Sequence, residues 1–432
     1  MAQKSDGTLN FNTIAQHGGQ EFDKETNARA VPIYQTTSYG FESPEHAASL
    51  FQMQEAGYIY SRNANPTNRV LEKRIAELEG GVDAFAVSSG QSAITIALLT
   101  LAKVGDEIVA TNELYGGTYN LFSETFKRFG VMVRFVDGTN FPEIASSINK
   151  NTKAIFTETI GNPGLQIADI KALSTIAHDH GIPLVVDSTF TTPYLQRPIT
   201  FGADIVIHST TKFIGGHGTS IGGIIVDAGK FNWSNGNFPE FTTPKSSLNN
   251  QSYIELTDTN AFISKARFEL GHDIGTALSP FNGWLFIQGL ESLPLRMKQH
   301  VVNTRQIASF LAEHEQVTWV NYPGLSGNHQ YELAKIYLPK GTGAIFTFGI
   351  KGGHEAAKTF IQSLNLLSHV ANIGDSKTLV IHPASTTHSR LTPEEQGKTG
   401  VTPDQIRISV GLEDVEDIKK DIHQALQKSV KT

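Results

Sequence analysis

The stretch Asp204-Ile205-Val206-Ile207-His208-Ser209-Thr210-Thr211-Lys212-Phe213-Ile214-Gly215-Gly216-His217-Gly218 decides how the chain is read. Its short β-branched run reads as a strand. That strand ends in hydroxyls and a lysine, and a glycine-rich loop follows. A lysine is ordinarily a solvated surface charge, but the apolar residues on both sides of Lys212 favour burial. A desolvated lysine, or one beside a positive imine or pyridinium, has the lowered pKa that imine formation requires.

The pattern repeats upstream. Pro183-Leu184-Val185-Val186-Asp187 is a second apolar run, closed by a carboxylate. A cap for the following turn explains Asp187 equally well from this strand alone. If it is buried, it needs a cationic partner. From about Asn68 to Val226 such runs alternate with helical spacing. Helices are expected over 70–79, 92–104 and 169–180, and strands over 83–87, 107–110, 131–136, 153–157, 204–208 and 223–226. That alternation predicts an α/β fold with a mostly parallel sheet and flanking crossover helices.

Ligands of such sheets sit outside the carboxyl ends of the strands. Ser88-Ser89-Gly90-Gln91-Ser92 follows the first strand and opens a helix, an arrangement that aims backbone N–H groups at an anion. Taken alone, a serine-capped turn is the better reading of that segment. No P-loop or dinucleotide-binding glycine pattern stands in a strand-to-helix position, so a small phosphate ester fits better than a nucleotide.

A chain of 432 residues exceeds what one core usually holds. Residues 1–66 read as an extended arm serving a neighbouring subunit. Residues 67–296 form a large α/β domain with an insertion at about 229–259, which breaks the pattern like an excursion over the surface or across a subunit boundary. Residues 297–432 read as a C-terminal α+β domain, entered by a helix from Pro294 to Glu313 and containing a strand over Ala344 to Ile350.

The formal charge of -7 comes from interspersed acids and bases, which argues against a nucleic-acid partner. No stretch approaches a membrane span and Met1 to Asn12 lacks an apolar leader, so a cytoplasmic protein is expected. The chain has no cysteine, hence no disulfide, thiolate metal site or cysteine nucleophile. His178 and His180 lie two apart on a predicted helix, do not share a face, and are expected to be solvated. His382 and His388 lack partners at ligand spacing, and no metal is expected.

Six segments in order carry a resemblance. They are Tyr60-Ser61-Arg62 with Asn65-Pro66-Thr67; Ser89-Gly90-Gln91; Tyr115-Gly116-Gly117-Thr118-Tyr119; Glu158-Thr159 with Asn162-Pro163; Asp187-Ser188-Thr189-Phe190; and His208 to Gly218. Over essentially its whole length the chain resembles the Cys/Met-metabolism family of fold-type-I pyridoxal-phosphate enzymes. The resemblance implies that Lys212 carries pyridoxal 5'-phosphate as a Schiff base and shuttles protons, while Asp187 pairs with the pyridine nitrogen. Ser89, Gly90, Gln91, Ser209 and Thr211, with Tyr60 and Arg62 of a neighbouring subunit, would hold the phosphate. Tyr115 would stack on the ring, Asn162 would bond its phenolic oxygen, and Thr189 would belong to the same cofactor site. Arg407 would clamp the substrate carboxylate, with Ser385, Glu158 and Tyr60 as further substrate-side candidates. A homo-oligomer is implied, a tetramer of two catalytic dimers.

Within that family, Gly374-Asp375-Ser376-Lys377-Thr378-Leu379, His382 to His388 and the insertion after Gly229 look like the O-acetylhomoserine sulfhydrylase branch. That branch implies a transferase replacing the γ-substituent of O-acetyl-L-homoserine by sulfide or methanethiol. The alternative is a cystathionine γ-synthase or γ-lyase type of enzyme.

Overall fold

Seven strands form the main sheet of the computed structural model, which describes residues 9–387, 389, 392, 394, 396 and 400–429. His388 lies outside the described residues. The strands are β1 (Asp83–Val87), β2 (Glu107–Thr111), β3 (Met132–Val136), β4 (Thr152–Glu158), β5 (Leu184–Asp187), β6 (Ile205–His208) and β7 (Gly223–Asp227), in the order β1-β7-β6-β5-β4-β2-β3. All neighbours run parallel except around β7, which is antiparallel to β1 and β6. The sheet is mostly parallel, as expected. Its central strands are buried along almost their whole length, and such strands read in sequence as unbroken apolar runs because helices cover both faces.

Local chemistry sets the helix ends. α1 (Pro66–Glu79) begins where the Asn65 side chain accepts from Thr67 N–H, with proline at the first turn, and stops at Gly80, whose φ of 81° a residue with a Cβ rarely adopts. α2 (Gly90–Leu101) follows β1 directly and is capped by Ser89, which accepts from Ser92 N–H. α3 (Ile170–Asp179) is capped by Asp169.

α4 spans Pro280–Ala312, whereas the sequence reading began this helix at Pro294. Proline favours a first turn, which made Pro294 look like a start. The helix in fact begins at another proline and carries Pro294 inside it, buried. Its first half packs into the main core through Leu290, Leu293 and Met297. Its last turns, through Ile307, Ala308 and Leu311, belong to a second apolar cluster. That cluster lies under a sheet of β8 (Val317–Asn321), β9 (Ile345–Ile350), β10 (Ser368–His369), β11 (Leu379–Ile381) and β12 (Gln405–Ser409), ordered β10-β11-β12-β9-β8 and flanked by α5 (Gly353–Ser363) and α6 (Val415–Ser429).

The segment after Gly229 is no bare excursion. Trp233, Phe238 and Phe241 are buried in the main core, with Trp233 stacked on Phe241 at 4.4 Å and on Phe262 at 5.6 Å between centroids. Among the described residues no helix is long and apolar enough to cross a membrane.

His178, expected to be solvated, is exposed, and in addition its Nε2 lies 2.8 Å from the buried Asp204 carboxylate. The partner comes from the start of β6, 26 residues away, so helical spacing could not reveal it. The hydrogen bond that His178 donates to the Asp204 carboxylate raises the pKa of His178 above its ordinary value. A histidine whose folded-state pKa is raised contributes stability below its unfolded pKa of about 6.5 and loses it as pH rises through the folded value. In calorimetric scans the gap in Tm between the wild type and His178→Gln is therefore expected to be widest below about pH 6 and to shrink toward pH 8.5. A gap constant across that range would contradict this assignment.

Candidate active site

The ends of the central strands stand level. Glu158 of β4 is in register with Asp187 of β5, and Asp187 with Ile207 of β6, just before the Ser209-to-Lys212 turn. A cavity of about 350 Å³ opens at this carboxyl edge. The second sheet closes it, bringing in Arg407 from β12 and the segment Ala371-Asn372-Ile373.

Lys212 is largely buried, and its pKa is pulled down to about 8, first by desolvation and then by the positive charge of Arg407. Its Nζ donates to Asn372 Oδ1. Arg407 is 6% exposed, and burial lowers its pKa to about 10. Its hydrogen bond is to Asn162 Oδ1 at 3.3 Å, and among the described residues no carboxylate forms an ion pair with it. Among the described residues neither cation of this cavity forms an ion pair, so a bound anion would relieve them.

Two carboxylates share that cavity, Glu158 buried and Asp187 partly so. Burial pushes the pKa of Asp187 up, against the hydrogen bonds from Thr189. Both of those bonds fall on Oδ1, from Thr189 N–H at 2.9 Å and Oγ–H at 2.5 Å. Glu158 is raised well above the usual carboxylate range, by burial and then by the charge of Asp187, although its Oε1 accepts from Tyr115 N–H at 2.7 Å. A cation delivered to the free side of Asp187 would reverse its penalty.

Of the other expected residues, Ser89, Gly90, Gln91, Tyr115, Asn162, Thr189, Ser209 and Thr211 all line the cavity. Gly90 opens α2 so close to Ser209 that a Cβ there would come within 2.8 Å of the Ser209 Cβ, and Gly90 and Gln91 of the first turn line the cavity. Several hydroxyls have other duties. Ser89 Oγ caps α2, Thr211 Oγ1 donates to Gly222 O at 3.1 Å and accepts from Gly222 N–H at 3.0 Å, and Thr189 Oγ1 accepts from Ser209 N–H at 2.9 Å.

The structure does not bring every expected residue together. Ser385 lies outside the cavity lining, hydrogen-bonded to His382 Nδ1 at 2.8 Å on a single 3-10 turn, and Thr387 lines the cavity instead. Tyr60 and Arg62 do not line this chain's own cavity either. Tyr60 is 40% exposed, Arg62 lies over its ring at 5.1 Å, and Arg62 Nε is buried without a hydrogen-bond partner. Asn372 was missed by the sequence reading. It lies two residues before the Gly374-Asp375 segment that was singled out, and only tertiary packing carries it to Lys212.

This arrangement suits pyridoxal phosphate. The carboxylate Asp187 has an oxygen left for a pyridinium, a lysine of lowered pKa is available for its aldehyde, and a helix start that lines the cavity is available for its phosphate. A mostly parallel sheet delivering such a lysine and such an acid to one cavity defines the fold-type-I class of pyridoxal-phosphate enzymes. The sequence matches the family of Cys/Met metabolism PLP-dependent enzymes over residues 12–427, and the chain belongs to that family. It is 53% identical over 424 residues to the O-acetyl-L-homoserine sulfhydrylase of Leptospira meyeri, an alignment spanning 96% of each chain. It is 50% identical to the homocysteine synthase of Schizosaccharomyces pombe, over 96% of this chain and 98% of that one. Among solved structures it is similar to an O-acetylhomoserine (thiol)-lyase, so described, from Campylobacter jejuni that carries N'-pyridoxyl-lysine-5'-monophosphate. The TM-score is 0.94 at 39% identity, covering 97% of this chain and 100% of that one.

A lysine whose folded-state pKa is depressed weakens the fold while it is charged. The penalty is fully present below about pH 8 and is relieved as pH climbs toward the unfolded value of about 10.4. In the cofactor-free protein, Lys212→Met is expected to be more stable than the wild type by roughly 2 kcal/mol at pH 7, with the gap closing by pH 10. Urea denaturation at both pH values measures it. A wild type more stable than the variant at pH 7 would contradict the burial of an unpaired ammonium.

Proposed function

We propose that this chain replaces the acetoxy group on Cγ of O-acetyl-L-homoserine by a sulfur nucleophile, sulfide giving homocysteine and methanethiol giving methionine, with acetate released. One observation carries the reading. Lys212, largely buried, and Arg407, buried, form no ion pair among the described residues and face the same cavity as Asp187, in a chain about half identical over its length to an O-acetyl-L-homoserine sulfhydrylase and a homocysteine synthase.

The residues divide the work by chemistry. Arg407 holds the substrate's α-carboxylate, for which a planar two-pronged donor is suited. The first turn of α2 at Gly90 and Gln91, with Ser209 and Thr211, receives the cofactor phosphate, and Asp187 pairs with the pyridine nitrogen. Bound pyridoxal phosphate supplies an electron sink for the substrate's α-carbon. Lys212 takes protons from Cα and Cβ and returns them after the sulfur–Cγ bond has formed and the oxygen–Cγ bond has broken. Asn372 holds its amine toward the cavity. Tyr115 covers the ring, Asn162 serves both its phenolic oxygen and Arg407, and Glu158 fixes the backbone of Tyr115.

Tyr60 and Arg62 lie outside the cavity of their own chain, which suits service to a neighbouring copy. A tetramer of two catalytic dimers, acting in the cytoplasm, belongs to the same proposal.

Incubation with O-acetylhomoserine, with and without sulfide, tests the reading. Homocysteine should form only with sulfide, and 2-oxobutanoate with ammonia should stay minor. Their release at full rate without sulfide would make the protein a γ-lyase instead. Arg407→Lys keeps the charge but loses the fork, and is expected to lower kcat/KM on the order of 100-fold, carried largely by KM.

A further inference from the structure

Arg296 sits on α4, 6% exposed, and among the described residues no carboxylate pairs with it. Three of its four hydrogen bonds go to carbonyls. Nη1 donates to Phe213 O at 2.7 Å, Nη2 to Ile214 O at 3.1 Å and to Gly289 O at 2.7 Å, and Nε to Ser292 Oγ at 3.0 Å. Phe213 and Ile214 are the two residues that follow Lys212.

The surroundings are shaped for this contact. A Cβ on Gly216, whose φ is +74°, would run into the Arg296 guanidinium, and a Cβ on Gly289 would run into Ile214 O. Glycine at both places lets α4 approach the loop at backbone distance. From the other side, Ser376 N–H donates to Gly216 O at 2.8 Å, and Asn372 accepts from Lys212. The loop is thus held between a helix that crosses both apolar clusters and a segment of the second sheet.

A buried cation without a counter-ion is costly, and an apolar residue of similar length would fill the same volume more cheaply. Carbonyl oxygens in a turn that closes no helix need donors, and two of the guanidinium's hydrogen bonds supply them here, at Phe213 and Ile214. We propose that Arg296 is a positioning residue for the catalytic lysine. It clamps the carbonyls directly after Lys212, so that the amine leaves the loop in the one direction that reaches Asn372 and the cavity. Arg296 acts through the backbone and touches neither cofactor nor substrate. The inference rests on Lys212 being the reacting lysine.

The experiment compares the wild type, Arg296→Met and Arg296→Lys as pyridoxal-phosphate holoenzymes, by hydrogen exchange and by steady-state kinetics. Arg296→Met is expected to raise exchange in the peptide spanning 209–218 by about tenfold or more, with peptides from β9 and β12 unchanged. It should lower kcat about tenfold or more while KM moves less than about threefold. An ammonium can serve fewer of these carbonyls, so Arg296→Lys should show the same pattern at smaller size, which keeps the test available if the methionine variant fails to fold. Exchange rising equally across the chain, or kcat per folded enzyme unchanged, would reduce Arg296 to a stability role and overturn the proposal. The exchange readout does not depend on the chemistry. A wild type with no visible band that borohydride bleaches would remove the lysine reading separately.

Discussion

Desolvation of charge at the carboxyl edge of the main sheet is the constraint from which the rest follows. An ammonium and a guanidinium that form no ion pair among the described residues stand in one cavity, beside two carboxylates that burial pushes toward protonation. Such an arrangement costs several kcal/mol unless something completes it. A ligand with a cationic ring nitrogen, an aldehyde and a phosphate, joined by a substrate with a carboxylate, completes each part. The stability given up by the empty site reappears as affinity and reactivity when the site is filled.

The scaffold makes that affordable by rigidity. Three parallel strands end level, so that Glu158, Asp187 and the turn to Lys212 need no long loops to meet. The remaining elements arrive from a distance. α4 runs from the main core into the second, and the segment at 371–377 comes over with the second sheet. Lys212 is thereby fixed from three directions, by its own strand, by α4 and by the C-terminal sheet.

How much of this was legible in the sequence follows from how locally each feature is encoded. Buried parallel strands are apolar throughout, so a polar residue that ends one, such as Asp187, or closely follows one, such as Lys212, stands out. The seven strands of the main sheet and β9 fell within a residue or two of their expected ends, while β8, β10, β11 and β12 were not foreseen. The features that escaped depend on contacts between distant segments. Asn372 reaches Lys212 across 160 positions, Arg296 caps a loop 82 and 83 positions away, and His178 meets Asp204 from a neighbouring strand. Pro294 misled because proline's preference for a first turn is local, while the helix that contains it is stabilised by tertiary packing on both sides. Ser385 misled for a similar reason. It lies three residues from His382 on one turn and bonds to it, so its neighbourhood was recognisable while its direction was not.

The account stands on Lys212 as the residue that bears the cofactor. The most direct measurement is to reduce the purified holoenzyme with borohydride, digest it, and find by mass spectrometry which lysine carries a pyridoxyl-phosphate group. The account predicts a single modified peptide containing Lys212, with Lys265 and the surface lysines unmodified. A pyridoxyl group on any other lysine, or none on Lys212 in protein that shows the visible band, would contradict it.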